Sequence, residues 1–169
     1  IGQQTMMAAF QESDGRRPAG PWQRTVLQRF RCDSMEALLS KVKTGEINNP
    51  QIAALAPVVI QLAQAGVKAA DEILERAVQE LVRVVAVTRR KANLEEGPVV
   101  LVGGLLENSD VFRDRLLAEF KASMPELKIQ QSLMTPIVGA VVVACKSSAD
   151  ALPQGLEQAL RAELVGSSS

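Results

Sequence analysis

Apolar positions recurring every three or four residues govern the first two thirds of the chain, and the last third alternates short apolar runs with helical segments. Residues 3–11 have helix-forming composition. Asp14-Gly15-Arg16-Arg17-Pro18-Ala19-Gly20-Pro21 then imposes a loop through its prolines and glycines. Helical spacing resumes over residues 23–31 through Val26, Leu27 and Phe30. Asp33 and Glu36 stand three apart in the manner of a capping box ahead of Leu38 and Leu39, and Gly45 is placed to end that helix. Asn49 followed by Pro50 reads as an N-cap with proline in the first helical position, opening one helix through Ile52, Leu55, Val59 and Leu62 that stops at Gly66.

The longest helix is predicted over residues 68–93. Ile73, Ala77, Leu81, Val84, Val85 and Thr88 form its apolar stripe, and at 1.5 Å per residue it would span roughly 39 Å. After Glu95-Glu96-Gly97, the run Pro98-Val99-Val100-Leu101-Val102 is apolar at every position, as in a parallel strand buried on both faces. Ser109 and Asp110 start a helix carrying Val111, Phe112, Leu116, Leu117 and Phe120, and residues 127–130 form a second strand. Thr135-Pro136 opens an almost wholly apolar helix over 137–146, and a last amphipathic helix covers 153–164 before a Gly-Ser-Ser-Ser tail. The order is that of an α/β protein, helix-rich with a small mixed sheet, whose strand-helix-strand unit makes one right-handed crossover.

Composition removes several kinds of chemistry. A chain of 169 residues with 47% hydrophobic content buries about 70% of its unfolded surface and folds without disulfide or metal staples. The 19 basic and 19 acidic residues cancel, which argues against nucleic acid or an anionic membrane as the main partner. With no histidine in the sequence, Ser-His-Asp, Cys-His and histidine-ligated metal sites are excluded within this chain. The longest apolar runs, 52–60 and 137–145, are far short of the ~20 residues a membrane span requires. Cys32 and Cys145 lie far apart with no CxxC spacing, as reduced thiols of a cytoplasmic protein would. The start at Ile1, with no initiating methionine and no signal-type run, suggests a piece of something longer.

The sharpest local signal is Val99-Val100-Leu101-Val102-Gly103-Gly104. Two residues without Cβ at the carboxyl end of a parallel strand let a flat ligand, such as a nucleotide base, lie on the backbone. The same pair also serves a tight strand-to-helix turn that needs positive φ. Gly139 with Ala140 would allow close approach of a ligand, although close helix-sheet packing is the commoner use of such a pair. Trp22 could stack on a sugar ring, and an amphipathic anchor pinning the proline loop to the surface is the reading preferred here. Arg89, Arg90 and Lys91 could grip a phosphate, but they sit in the last turn of the long helix, where cations offset its dipole, and read as solvated. Arg113, Arg115 and Lys121 either reach a phosphate or form a polar face balanced by Asp110 and Asp114, and Asp14 reads as an Asx-turn.

Taken in order, several stretches resemble the C-terminal half of the BadF/BadG/BcrA/BcrD ATPase family, which includes N-acetylglucosamine kinases and belongs to the sugar kinase and actin superfamily. They are Ile1-Gly2 with Asp14-Gly15-Arg16, Ile52-Ala53-Ala54-Leu55-Ala56-Pro57-Val58-Val59, the Ala65-Gly66 break, residues 69–77, residues 99–104, and Pro136-Ile137-Val138-Gly139-Ala140 with Ala144. Gly66-Val67 departs from the Gly-Asp that family members often carry. The resemblance implies a C-terminal actin-like (ribonuclease H-like) lobe over residues 1–148, mainly helical to residue 95, with 149–169 as a closing helix and tail. It implies ATP and Mg²⁺ as cofactors, with Gly103 and Gly104 lining the adenosine site and Gly139 behind or near it. It also implies a sugar substrate, an N-terminal lobe beyond this chain, and a dimer in many members. The family's DGGGT-like and GDEGS-like phosphate loops and its catalytic aspartate would precede Ile1, so the chain as given would have no kinase activity. Two rival readings are an ATPase activator of a dehydratase or reductase, which shares an iron-sulfur cluster between subunits, and a non-catalytic helical interaction module.

Overall fold

The computed structural model describes residues 1–94, 97–130, 132, 140, 143 and 155. Helix α1 (Gly2–Ser13) ends where Asp14 and Gly15 turn the chain, Gly15 at φ 79°. Helix α2 (Trp22–Phe30) stops at Arg31, which takes the left-handed conformation at φ 50°. Helix α3 (Met35–Lys43) is capped by Ser34, whose hydroxyl accepts the Ala37 N–H at 3.2 Å. The expected Asp33–Glu36 box is thus displaced by one residue: Ser34 has the extended backbone an N-cap needs, and Glu36 lies in the first turn. Beyond Thr44, Gly45 turns the chain at φ 78°, as expected.

The single helix expected over 50–65 is two. Helix α4 (Asn49–Ala53) carries a full capping box, Asn48 Oδ1 accepting from Gln51 N at 3.2 Å and Gln51 Oε1 from Asn48 N at 2.7 Å. The cap is therefore Asn48 rather than Asn49. Helix α5 (Ala56–Gln64) starts afresh because Pro57 has no N–H to donate and its ring would collide with the carbonyl four residues earlier, at Ala53. Gly66, at φ 81°, leads into α6 (Lys68–Lys91), whose 24 residues make it roughly 36 Å long.

Strand β1 (Val99–Val100) pairs in parallel with β2 (Ile129–Gln130), Val99 opposite Ile129. Between them run a helix the sequence reading did not anticipate, α7 (Gly104–Glu107), and the expected α8 (Asp110–Ser123). The helix-rich α/β class holds, with a small parallel sheet among the described residues. Gly139, Cys145 and most of the two expected C-terminal helices lie outside the described residues; Ala140, Val143 and Gly155 are helical.

Helix α1 packs on α2 and α4, while α6 packs on α5 and α8. Trp22, Leu38, Leu55, Leu74, Phe112 and Leu116 lie at the centre of the core. Two expectations about burial are corrected. The stripe of α6 is buried only in its first half, at Ala70, Ile73, Leu74 and Val78, whereas Leu81 and Val84 are 38% and 57% exposed. The strand run expected to be buried on both faces leaves Val100 and Val102 45% and 47% exposed, because only β2 flanks it among the described residues. No described helix is long and apolar enough to cross a membrane.

Candidate functional site

The double glycine follows β1 after Leu101 and Val102, with Gly103 capping α7 and Gly104 beginning it. Gly103 has φ 113° and ψ 151°, a conformation essentially reserved for glycine. The turn satisfies itself: Gly103 N–H donates to Glu107 Oε1 at 2.9 Å, and the Gly104 carbonyl accepts from Asn108 Nδ2 at 2.7 Å. The positive-φ turn is therefore real, and it also leaves bare backbone. A Cβ built on Gly103 would meet no atom within 4 Å, and one on Gly104 only Asn108 Nδ2 at 3.6 Å.

Gly104 opens onto a cleft of about 810 Å³. One wall is apolar and comes from the α4–α5 break, with Ala53, Ala54, Pro57 and Ile60. The other is formed by Leu105, Asn108, Ser109 and Asp110 at the starts of α7 and α8. Gly103 adjoins this lining without belonging to it. Spacing alone does not single out the apolar wall, although a proline inside a helical pattern, preceded by Ala53, Ala54 and Ala56, is its signal. Small side chains keep the break open, and Pro57 creates it.

Ser109 fixes the polar wall. Its hydroxyl accepts the Phe112 N–H at 3.2 Å and is buried among the core residues of α8. Ser109→Ala is expected to cost about 0.5–2 kcal/mol, read as a lower urea midpoint, since the Phe112 N–H would lose its acceptor.

The remaining candidates fall on their structural readings. Arg113 holds Asp110 at 2.6 Å, and Arg115 reaches across to Asp71 of α6 at 2.7 Å. Both guanidiniums are thereby occupied. Arg89, Arg90 and Lys91 occupy the last turn of α6, where Arg89 Nε donates to the Leu94 carbonyl at 3.2 Å. Asp14 makes the Asx-turn, its Oδ1 accepting from Arg16 N at 3.2 Å. The Arg16 side-chain hydrogen bond to that carboxyl holds it below the usual aspartate range. Trp22 is neither a sugar platform nor a surface anchor: it is fully buried in the core, at the first position of α2, the helix that packs on α1. No group of three or more histidine, cysteine or acidic residues among the described residues could hold a metal ion.

A glycine-floored cleft at the end of a parallel strand, with helix starts on one side, is the arrangement in which α/β proteins bind nucleotides. No curated protein and no solved structure matches the chain. The family model described as BadF/BadG/BcrA/BcrD ATPase family matches residues 1–144, and the chain belongs to that family of ATPases.

Proposed function

We propose that this chain is the C-terminal, ATP-binding lobe of a cytoplasmic, actin-like sugar kinase, most like the N-acetylglucosamine kinases. Residues 1–148 form that lobe. In the intact protein the γ-phosphoryl of MgATP passes to a sugar hydroxyl, and the lobe closes on the nucleotide against an N-terminal partner lobe. The observation that carries the reading is the cleft over Gly104. Its volume suits a nucleotide. Its apolar wall suits a purine face, and the amides of Gln61, Gln64 and Asn108 line it with groups able to both donate and accept. Gly103 and Gly104 would let the adenosine approach the backbone, and Gly139 would stand behind or near it.

Mg²⁺ neutralises phosphate charge in such transfers. The described residues offer it no acidic cluster, so this lobe's part is to bind and orient the base and to exclude water. Val100 and Val102, exposed in and just after β1 of a sheet with only two described strands, support the idea of a lobe completed by further strands, and Leu81 and Val84 leave the second half of α6 an apolar face for the partner lobe. Cys32 is buried with its Sγ 3.5 Å from the Phe30 carbonyl, a poor position for ligating an iron-sulfur cluster shared between subunits. That weighs against the activator reading.

Gly104→Val tests the proposal. Residue 104 is helical with no positive φ, and valine is no worse than glycine in a helix. Thermal stability should therefore hold while the branched side chain occupies the cleft floor. The expected result for the intact protein is at least a tenfold loss of ADP affinity by calorimetry, about 1.4 kcal/mol, at an unchanged melting temperature. Wild-type affinity in the variant would remove the cleft from the nucleotide site.

A further inference from the structure

A second concavity, of about 450 Å³, shares only Ala54 with the cleft. Arg29 and Arg31 at the end of α2, Lys41 of α3 and Glu46 line it, together with Pro50 and Gln51. Three cations face one carboxylate. Lys41 holds Glu46 at 3.0 Å, which leaves Arg29 and Arg31 with no ion pair or side-chain hydrogen bond among the described residues. Arg24, Arg76 and Arg90 are likewise unpaired among the described residues but lie outside this groove, whereas Arg16, Arg17, Arg83, Arg113 and Arg115 each grip a carboxylate.

Arg31 carries a second sign. It occupies the position just past a helix where glycine is commonest, and it does so in the left-handed region, at φ 50°. The backbone does not ask for arginine there; glycine would make the same turn with less strain. Strain retained at a residue lining a concavity is a pointer to use of its side chain.

We propose that this groove binds a small molecule bearing phosphoryl groups, separately from the nucleotide cleft, with Arg29 and Arg31 as the gripping residues. A guanidinium fork matches two phosphate oxygens at once, and two forks with Lys41 on a concave surface suit a diphosphate better than a single charge. Glu46 limits the affinity by engaging Lys41. The groove acts as a regulatory or accessory anion site, since it adjoins the α4 wall of the cleft at Ala54.

The test is calorimetric titration of the intact protein with inorganic pyrophosphate, alone and with saturating ATP. One saturable site is expected, retained in the presence of ATP. Arg29→Gln and Arg31→Gly should each weaken it tenfold or more, Glu46→Gln should tighten it severalfold, and Arg24→Gln, outside the groove, should leave it unchanged. Arg31→Gly should melt no lower than the parent, which separates ligand gripping from a structural role. The proposal is overturned by the absence of a saturable site. It is equally overturned by equal weakening in Arg24→Gln, by displacement with ATP, which would make the groove the seat of the nucleotide's own phosphates, or by an RNA oligomer that outcompetes pyrophosphate through the same arginines.

Discussion

Trp22→Ala is expected to destabilise the fold by about 3–5 kcal/mol, against the roughly 5–15 kcal/mol by which a domain is usually held folded. Trp22 is 0% exposed, the largest of the fully buried side chains, and stands at the first position of α2. Helix α2 packs chiefly on α1, and Trp22 shares its core cluster with Met6, Ala8 and Ala9 of α1. A neighbouring contact fixes the entry of the helix: Glu12 Oε2, from α1, accepts the Gln23 N–H at 2.8 Å. Removing the ring takes the largest fully buried side chain out of the core and leaves a void there. Trp22→Phe should behave differently. The indole Nε1 is buried without a partner among the described residues, and an unpaired buried donor is itself costly. Phenylalanine removes that donor while keeping a ring, so its cost should fall well below half that of alanine. Urea unfolding of the two variants decides the matter, and equal losses would mean that the indole N–H is satisfied and contributes to stability.

How far the sequence disclosed this architecture depends on whether each feature is local or tertiary. The end of α3 and the turn before α6 were legible because Gly45 and Gly66 supply the positive φ that each turn uses. The two strand segments and the Ser109 start of α8 were legible for similarly local reasons, and their parallel pairing followed from the helix between them. Caps slipped by one residue at Asn48 and Ser34 because adjacent Asn, Asp and Ser residues are nearly equivalent as cap acceptors. Burial was harder to read. A stripe on α6 states which face is apolar but not what covers it, and Leu81 and Val84 are exposed for want of a neighbour among the described residues. The cleft was half legible. Its glycine floor is a sequence motif, whereas its apolar wall depends on Pro57 breaking a helix and on α5 and α8 flanking the same α6. Trp22 was misplaced because a proline-rich loop before an aromatic residue gives no clue that the first residue of the next helix turns inward.

Gly2→Ala sets helix propensity against packing, and packing is expected to win. In an unconstrained helix alanine is better than glycine by about 1 kcal/mol. Here a Cβ on Gly2 would fall on the Ile52 carbonyl oxygen, 2.8 Å from that residue's carbonyl carbon and 3.3 Å from the Ala53 Cα. These atoms are backbone, so relief cannot come from a side-chain rotation; α1 and α4 must separate. Forcing such a contact costs about 1–3 kcal/mol net, and it moves more than the contact itself. Ala53 and Ala54 belong to the apolar wall of the cleft, so displacing α4 widens the slot opposite Gly104. Gly2→Ala is thus expected to lower both the urea midpoint and the ADP affinity of the intact protein, whereas Gly104→Val lowers affinity alone. A stabilised Gly2→Ala protein would show that α1 and α4 do not meet this closely. A destabilised one with unaltered ADP affinity would show that the α4 wall plays no part in holding the base.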